Sequence, residues 1–373
     1  MCTNSYTVNN MAYVRIFIIL FLILFFVQPA YAKKRTIKEF SAHPPIHIKN
    51  NAATPIGLTP SQVKTVYHLP DSGGNGTVAI IDAYDAQTVE SDLTVFSKQF
   101  HLSPCSTKNG CLEIHKMASK LKKDNGWAGE TALDVEWVHA IAPKAKILLI
   151  ESISASGENL LKAVDFARNR KDVVAVSMSW GDAEFETASK YDSYFVSKYG
   201  ATFFASSGDN GNGIQWPAVS PKVIGVGGTT LNFNADGSFK SETAWNGSGG
   251  GVSSYVSEPV FQIAYRISKL NNKRAVPDVS YNADPSSGFS VYQNGRWFTV
   301  GGTSAGAPQW AALRALGKNI STSKLYEDAS GSDYASYFRD ILKGINGDCK
   351  SFCNAKRNYD TVTGLGSPLT YHY

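Results

Sequence analysis

Short apolar runs alternate with segments of helical length along most of this chain. The apolar runs are rich in β-branched and aromatic residues and lie at 77–83, 146–152, 173–179, 202–208 and 223–229. Helical segments separate several of them, at 130–141, 158–168 and 188–198. Runs of this kind are typical of strands buried on both faces. Their repeated alternation with helices predicts an α/β fold, with a mainly parallel central sheet and helices on both faces. No internal repeat or clear second domain interrupts this order, so we expect a single domain over 58–373.

The N-terminus has the pattern of a secretory signal. After Met11, one arginine precedes an apolar core, and the stretch closes with Ala-Tyr-Ala at 30–32, a small-x-small cleavage pattern. We therefore interpret 1–32 as a signal peptide, translated from Met1 or Met11, and expect a secreted protein without a stable membrane anchor. An uncleaved anchor is the alternative, although the apolar core is short for a membrane span. The polar, proline-containing stretch 33–57 is predicted to be a short linker or the remnant of a propeptide.

Charge excludes one class of function. The 373 residues include 36 basic and 31 acidic side chains, a formal net charge of +5, and contain no dense run of lysine or arginine. Nucleic-acid binding is therefore not indicated.

The cysteines favour two small disulfides. Export would place them in an oxidising compartment, and Cys105 and Cys111 bracket one short loop while Cys349 and Cys353 bracket another. A zinc site on the second pair is the alternative, but no second close pair of ligands accompanies it.

Ser304 is the candidate nucleophile. It lies in GGTSAGAPQW, at the start of a predicted helix. The usual partner of such a serine is histidine, but no histidine lies in the Gly/Ser/Thr-rich turn that a subtilisin-type peptidase places before its helix. His139, in EWVHAIAP, comes closest, and a structural role suits it better.

A pair of carboxyl groups is a better candidate for the base. Glu130 and Asp134 are four residues apart in GETALDVEWVHA, which places both on one face of a helix, whereas Glu136 points away. Like charges at this spacing repel, so the pair makes sense if it shares one proton. Glu130 could then accept the proton of Ser304 while Asp134 orients and stabilises it. An ordinary exposed acidic helix is the alternative.

A third acid, Asp209, lies in the glycine-rich stretch FFASSGDNGNG, directly after a predicted strand. Reactive groups of parallel sheets gather at this end of the strands. Aspartate is also a common turn former, which is the alternative here.

Together, these motifs resemble the sedolisins, the serine-carboxyl peptidases that share a fold with the subtilisins. The matching stretches occur in family order and cover nearly everything after Leu58. They are GETALDVEWVHAIAPKAKI, SMSWGD, FASSGDNG, WPAVSPKVIGVGGTTL, GGGVS, VPDVSYNADP, GGTSAGAPQWAAL and the tail FRDI…YDTVTGLGSP. One Gly-Thr-Ser motif would be weak evidence, but a collinear set is specific.

The resemblance implies a subtilisin-like fold and a role for each acid. Ser304 would be the nucleophile, Glu130 the general base, Asp134 its partner and Asp209 the acid of the oxyanion hole. Asp209 must be protonated to donate a hydrogen bond while Glu130 is ionised, so the resemblance implies action at acidic pH. The implied substrate-binding residues are Ser177, Met178, Ser179, Trp180, Gly181, Gly249 and Gly250. The first five would pair with the substrate backbone, and the glycines would keep the cleft open.

The resemblance also implies a calcium site in the tail. Its ligands would come from Asp340, Ile341, Lys356, Asn358 and Asp360, since oxygen ligands of this kind suit Ca²⁺. Lys356 and Asn358 stand where the family has glycines, so the sequence departs from the family pattern at the two residues that would contribute backbone carbonyl groups. A cation-free loop tied by Cys349 and Cys353 is the alternative.

The sequence therefore predicts a secreted, monomeric serine-type peptidase that acts on peptides or proteins. The pattern does not distinguish an endopeptidase from a tripeptidyl-peptidase, nor does it indicate side-chain preference. The family carries a long folded propeptide, whereas here only 33–57 separate the signal from the domain, so the sequence leaves open how the protein folds and is controlled: it folds unassisted, or this chain lacks its true beginning. A catalytically silent binding protein on the same scaffold would be expected to lose some of the four site residues. A nucleotide-binding enzyme lacks the spacing of a phosphate loop.

Overall fold

A computed structural model of the protein describes residue 1 and residues 36–369. Its strands are β1 (His47–Ala52), β2 (Thr77–Ala83), β3 (Leu112–Lys116), β4 (Lys146–Ser152), β5 (Val173–Met178), β6 (Asp182–Ala183), β7 (Thr202–Ser206), β8 (Gln215–Trp216), β9 (Val223–Phe233), β10 (Phe239–Ala244), β11 (Gly251–Ser257), β12 (Lys273–Val276), β13 (Val279–Asn282), β14 (Phe289–Gln293), β15 (Arg296–Gly301), β16 (Phe338–Arg339) and β17 (Ser367–Pro368).

The α-helices are α1 (Pro60–Tyr67), α2 (Val89–Gln99), α3 (Asn125–Ile141), α4 (Gly157–Arg168), α5 (Val260–Tyr265), α6 (Gly306–Ala315), α7 (Thr322–Ser330) and α8 (Tyr334–Tyr337). Short 3₁₀ helices occupy Ala188–Phe195, Pro285–Ser287, Thr303–Ala305 and Lys350–Phe352.

A mainly parallel sheet lies at the centre of the fold. Within residues 36–369, eight strands form it in the order β10-β9-β7-β5-β2-β4-β3, with β13 also paired to β9. Every pair is parallel except β10 with β9. The predicted α/β class is therefore confirmed. The predicted bounds of β2 and β4 match those of the structure, while β9 continues beyond the predicted end to Phe233.

Helices cover both faces of the sheet, as β2 illustrates. Val78 and Ile80 pack in the layer that contains residues of α3 and α6, whereas Ala79 and Ile81 pack in the layer of α4. Because successive side chains of a strand point to opposite faces, a strand covered on both sides must be apolar throughout. This is why the strands could be recognised as continuous apolar runs.

One predicted helix differs from the structure. The segment 188–198 was expected to be α-helical, but it forms a 3₁₀ helix over Ala188–Phe195. Its serine, aspartate and aromatic residues have modest α-helical propensity. In addition, Asp192 accepts a hydrogen bond from Ser220 Oγ at 2.6 Å, which holds the turn against a neighbouring loop.

The two disulfides predicted from the sequence are confirmed. Cys105 is bonded to Cys111 and Cys349 to Cys353. The zinc alternative for the second pair is therefore wrong.

The structure describes only part of the N-terminal regions that were predicted as signal peptide (1–32) and linker (33–57). The proposed signal peptide lies outside the described residues, apart from Met1. From 36 to 369, we find no helix with the length and apolarity that a membrane span requires.

Residues 40–52, here called the N-terminal segment, lie against the loops that follow β4 and β5. Ser41 is bridged to Ser156 and His43 to Gly181. Further along, β1 pairs antiparallel with β15, which in turn pairs with β14. The segment therefore lies beside the end of the sheet where parallel-sheet proteins place their functional groups.

Candidate active site

Helix α3 carries two carboxyl groups into the core. Asp124 caps the helix, since its side chain accepts a hydrogen bond from Trp127 N at 3.0 Å. Glu130 and Asp134, one turn apart, are both 0% exposed. The alternative of an ordinary exposed acidic helix is therefore wrong.

Burial strongly affects how these two groups ionise. It raises the pKa of Glu130 well above its usual range, and the charge of Asp134 raises it further. Burial likewise raises the pKa of Asp134, where the charge of Asp82 adds to the effect. The side chain of Ser304 opposes the shift at Glu130, and the hydroxyl group of Ser179 opposes it at Asp134. Two buried carboxylates this close favour a state in which the pair holds a proton.

Ser179 connects this pair to the serine loop. Its hydroxyl oxygen lies 2.9 Å from Asp134 Oδ1 and 3.2 Å from the carbonyl oxygen of Ser304. A hydroxyl group has one proton, so both contacts are hydrogen bonds at once only when Asp134 carries a proton and donates it to Ser179. The geometry therefore fits a protonated Asp134.

Ser304 lies in the 3₁₀ turn Thr303–Ala305, directly before α6. The turn requires glycine at 302, whose φ is 125°. A Cβ atom there would lie 1.9 Å from the carbonyl oxygen of Pro45 and 2.6 Å from Asp209 Oδ2. Ser304 is buried, and its hydroxyl group donates to Pro45 O at 2.7 Å. The backbone of the N-terminal segment therefore lies directly on this serine.

Asp209 lies in the loop after β7, with its side chain 5% exposed. Its Oδ1 accepts hydrogen bonds from the backbone N–H and the hydroxyl group of Thr303, at 2.8 and 2.7 Å. Its Oδ2 is 3.1 Å from His47 Nε2. Burial raises the pKa of Asp209, against the opposing effects of His47 and Thr303. The loop thus holds a carboxyl group beside Gly302 and Ser304.

Sequence reasoning missed a fourth buried acid, Asp82. It lies near the carboxyl end of β2 and is 0% exposed. Burial raises its pKa to about 7, and the charge of Glu151, its register partner on β4, adds to the shift. Its own charge raises the pKa values of Glu130 and Asp134. An acidic residue inside an otherwise apolar buried strand is the signal that could have identified it.

Other polar groups of α3 lie away from this cluster. Glu136 Oε2 accepts a hydrogen bond from Tyr292 N in β14 at 3.0 Å. His139 Nε2 is 2.7 Å from the carbonyl oxygen of Ser103. Both contacts are structural, as expected from the sequence.

The predicted substrate-binding residues fall into two groups. Ser177, Met178, Ser179 and Trp180 are fully buried, and Trp180 Nε1 donates to Ile81 O at 2.8 Å. The backbone of Ser177 and Met178 is paired within the central sheet, with β2 and β7, whereas the backbone of Gly181 pairs with His43 of the N-terminal segment. The side chains at 177–180 therefore pack in the interior of the protein and are not exposed to a bound peptide.

Gly249 and Gly250 pack closely against neighbouring backbone. A Cβ atom on Gly249 would lie 2.1 Å from Ser207 O, and one on Gly250 would lie 2.2 Å from Thr361 O. Gly249 N also donates to Gly208 O at 2.7 Å. These glycines thus hold the loop that carries Asp209.

The predicted calcium ligands converge in the tail. Asp340 Oδ2 accepts from Asn358 N, and Asp360 Oδ2 accepts from Lys356 N, both at 3.1 Å. Asp340 Oδ1 is buried without a hydrogen-bond partner. Burial raises the pKa of Asp360 to about 6. Together with the backbone carbonyl of the buried Ile341, such a set has the chemistry of a hard-cation site.

The chain is similar in sequence to a known family and to individual members of it. The model of the subtilase family matches residues 122–330. The chain is 29% identical to sedolisin of Pseudomonas sp. (strain 101), over 87% of this chain and 63% of that protein. It is 30% identical to kumamolisin of Bacillus sp. (strain MN-32), over 90% of this chain and 65% of that protein. The chain thus spans slightly less than two thirds of the length of these two relatives.

A solved structure is similar over the whole fold. Pseudomonas sedolisin, described as a serine-carboxyl proteinase and complexed with two molecules of pseudo-iodotyrostatin, has a TM-score of 0.73 and 28% sequence identity. The match covers 84% of this chain and 96% of that one. The predicted subtilisin-like fold is therefore confirmed.

Proposed function

Because the chain belongs to the subtilase family and, within it, to the sedolisins, we propose that it is a serine-carboxyl peptidase that forms an acyl-enzyme on Ser304. The observation that carries this proposal is the burial of Glu130 and Asp134 beside the serine loop, with Ser179 in contact with both Asp134 and Ser304. A buried carboxyl pair can supply the proton acceptor that histidine supplies in other serine peptidases.

The proposed reaction begins with transfer of the Ser304 hydroxyl proton to ionised Glu130. As Oγ bonds to the substrate carbonyl carbon, the carbonyl oxygen becomes an oxyanion. Collapse of this intermediate breaks the carbon–nitrogen bond, while Glu130 returns the proton to the departing amine. Water then hydrolyses the acyl-enzyme by the same steps. Asp134 keeps the one proton that the pair holds before attack and donates it to Ser179, whose hydroxyl group in turn donates to the carbonyl oxygen of Ser304.

Asp209 is proposed as the oxyanion donor. Thr303 occupies its Oδ1, which leaves Oδ2 to carry a proton towards the reaction centre. Only the protonated form can donate, and burial favours that form by raising its pKa. Activity is therefore expected in acid and is expected to fall as Asp209 ionises.

Substrate is proposed to bind as an extended strand along Gly181. The backbone N–H and carbonyl groups of this residue lie in the stretch that follows β5, where a peptide can add as an edge strand. The buried side chains at 177–180 fix the position of that edge, and Gly249 and Gly250 fix the loop of Asp209 opposite.

We further propose a structural calcium ion in the tail. Asp340 and Asp360 would bind it through carboxylate oxygens, and Ile341, Lys356 and Asn358 through backbone carbonyls. The partnerless Oδ1 of Asp340 and the raised pKa of Asp360 support this, because both are relieved by a nearby cation. The ion would supply positive charge that ties 340–341 to 356–360.

The sequence pattern at 1–32 supports a secreted enzyme, and the relatives support peptide or protein substrates. Digestion of a denatured protein between pH 3 and 7, with products identified by mass, tests the proposal and separates endopeptidase from tripeptidyl cleavage. Ser304→Ala is the matched control. A folded parent that neither digests protein nor reacts with a fluorophosphonate at Ser304 would instead be the catalytically silent binding protein.

A further inference from the structure

A buried histidine of α3 lies against the first disulfide. A ring nitrogen of His139 and the sulfur atoms of Cys105 and Cys111 all lie within 4.8 Å of one another. Cys105 and His139 are buried, whereas Cys111 is partly exposed and can be reached from solvent. Among the residues that the structure describes, this is the one group of three histidine, cysteine or acidic side chains close enough to share a metal ion.

The hydrogen bonds of His139 determine which of its nitrogens is free. Nε2 is 2.7 Å from the carbonyl oxygen of Ser103. A carbonyl oxygen can only accept, so Nε2 carries the proton of the neutral ring. Burial lowers the pKa of His139, which favours that neutral form. Nδ1 is then an acceptor, and it is buried without a hydrogen-bond partner. A buried acceptor of this kind is costly unless something binds its lone pair.

The loop between the two cysteines is held in place by bonds other than the disulfide. Asn109 Oδ1 accepts hydrogen bonds from Ser106 N at 3.0 Å and Cys111 N at 3.1 Å, and Asn109 Nδ2 donates to Pro104 O at 2.9 Å. The carbonyl oxygen of Cys111 also accepts from Ile147 N of β4 at 2.7 Å. Reduction would therefore free the two sulfurs while the loop stays beside the histidine.

Two thiolates and one imidazole have the chemistry of a zinc site. Zinc bonds of about 2.3 Å to sulfur and 2.0 Å to nitrogen place neighbouring ligands of a tetrahedral ion about 3.5 to 3.8 Å apart. The Cα atoms of Cys105 and Cys111 are 5.0 Å apart, so rotation of the side chains can separate the sulfurs to this distance. The bond from His139 Nε2 to Ser103 O is also typical of zinc-binding histidines, where it fixes the tautomer and orients the ring.

From this geometry we propose that reduction of the Cys105–Cys111 disulfide creates a zinc site, with the two thiolates and His139 as its ligands. A dithiol reductant supplies two electrons and two protons, so it becomes a disulfide while the cystine becomes two thiols. Zn²⁺ then displaces the two thiol protons to solvent, and His139 Nδ1 donates its lone pair. The loop is closed by a sulfur–sulfur bond when oxidised and by the ion when reduced. The proposal does not depend on the peptidase function.

The second disulfide provides a comparison within the same chain. Cys349 and Cys353 also bracket a short loop, but they belong to no group of three candidate ligands within residues 36–369. Reduction of that pair should therefore create no zinc site, because a third ligand is needed to complete one.

Cobalt binding tests the proposed site, because Co²⁺ can replace zinc and its absorption reports the ligands. In a Cys2→Ser background, the protein would be reduced with a dithiol, desalted under argon and titrated with Co²⁺. We expect about one ion per chain, with the visible bands of a tetrahedral site and a thiolate-to-cobalt charge-transfer band in the near ultraviolet. The oxidised protein should show neither. The charge-transfer band distinguishes this site from carboxylate sites such as the proposed calcium site.

Two variants assign the ligands. Cys105→Ser/Cys111→Ser should lose the charge-transfer band. His139→Gln should bind Co²⁺ at least tenfold more weakly, since loss of even an outer partner of a ligand typically costs roughly 10–100-fold in affinity. The matched control is His101→Gln, which changes an exposed histidine and should bind as the parent does. A reduced parent without the band, or a His139→Gln variant that binds as tightly as the parent, would overturn the proposal.

A folded Cys349→Ser/Cys353→Ser variant should keep the band, and its loss there would assign the ion to the wrong pair. Thermal unfolding decides the case in which reduction destabilises the chain. Zn²⁺ should raise the melting temperature of the reduced parent, because an ion that binds only the folded form stabilises it. It should raise that of the oxidised parent and of reduced His139→Gln less. A reduced parent that stays unfolded in Zn²⁺, or the same rise in all three proteins, would overturn the site.

Discussion

Thr303 orients the carboxyl group of Asp209 by two hydrogen bonds to the same oxygen. Its N–H and hydroxyl group both donate to Oδ1, at 2.8 and 2.7 Å, so Oδ2 is the oxygen beside Gly302 and His47. An asparagine at 209 would be oriented in the same way, because its carbonyl oxygen can accept both bonds and its amide nitrogen cannot. The amide would then occupy the position of Oδ2.

Asp209→Asn is therefore expected to keep part of the activity and to lose most of its decline towards neutral pH. The amide donates a hydrogen bond at every pH, whereas the carboxyl group does so only when protonated. Asp209→Ala should lose on the order of 10²–10³ in rate, the usual cost of one oxyanion donor. Profiles of kcat/KM against pH for the three proteins measure this. Full activity of Asp209→Ala, or a parent optimum near pH 8, would show that Asp209 is only a turn former.

Ser304→Ala is expected to abolish peptide cleavage and leave the protein folded. The change removes one hydroxyl group, which contacts Pro45 O and interacts with Glu130, and it removes no apolar packing, so we expect the core to be unaffected. Turnover and circular dichroism should be compared with those of Ser220→Ala, which removes a hydroxyl group bonded to Asp192. Parent-like turnover in Ser304→Ala would exclude this serine as nucleophile.

Glu130→Gln should be nearly as damaging as loss of the serine, because an amide cannot accept its proton. Glu136→Gln is the matched control on the same helix. Glu136 is also buried, but it accepts a hydrogen bond from Tyr292 N, which an amide oxygen can accept as well. We expect a mild effect there on kcat. Similar losses in the two variants would mean that the helix acts through its stability rather than through Glu130.

Asp82→Asn is expected to stabilise the protein at neutral pH relative to its parent. The pKa of Asp82 is raised from 3.8 to about 7 on folding, so between these values the unfolded chain is ionised while the folded protein holds the proton. The free energy of unfolding therefore falls as the pH rises from 4 to 7, by on the order of 4 kcal/mol for a shift of this size. Asparagine does not titrate and avoids this loss.

Thermal unfolding at pH 4 and pH 7 measures the effect. The melting temperature of Asp82→Asn relative to the parent should rise between the two, with Asp71→Asn as the exposed surface control. If the difference in melting temperature between Asp82→Asn and the parent is the same at both pH values, Asp82 is ionised in the folded protein.

Chelation should lower the melting temperature more than it changes the intrinsic chemistry, because the proposed calcium site lies in the tail. Asp340→Asn should melt earlier than the parent and respond less to chelator. Elemental analysis of the parent counts the bound calcium ions directly. An unchanged melting temperature in excess chelator, with no bound metal found, would show that this protein has no structural calcium ion.

The sequence by itself determined features that depend on near neighbours in the chain. The strands β2 and β4 were predicted with their observed bounds, because burial on both faces requires a continuous apolar run. The spacing of Glu130 and Asp134 places them on one face of any helix, and the pairing of Cys105 with Cys111 closes a short loop. Each of these follows from local geometry.

Only the tertiary structure decided the environment of those groups. Pro45 and Ser304 are 259 residues apart in sequence, yet they share a hydrogen bond. In the sequence, Asp82 is a single acid within an apolar strand. Only the folded structure buries it near Glu130 and Asp134, and burial raises its pKa. Residues 40–52 are polar and contain prolines, which predicts a linker, but pairing with Gly181 and β15 makes them part of the site. Burial, charge coupling and strand pairing between distant segments depend on how the chain is packed, and no local pattern encodes them.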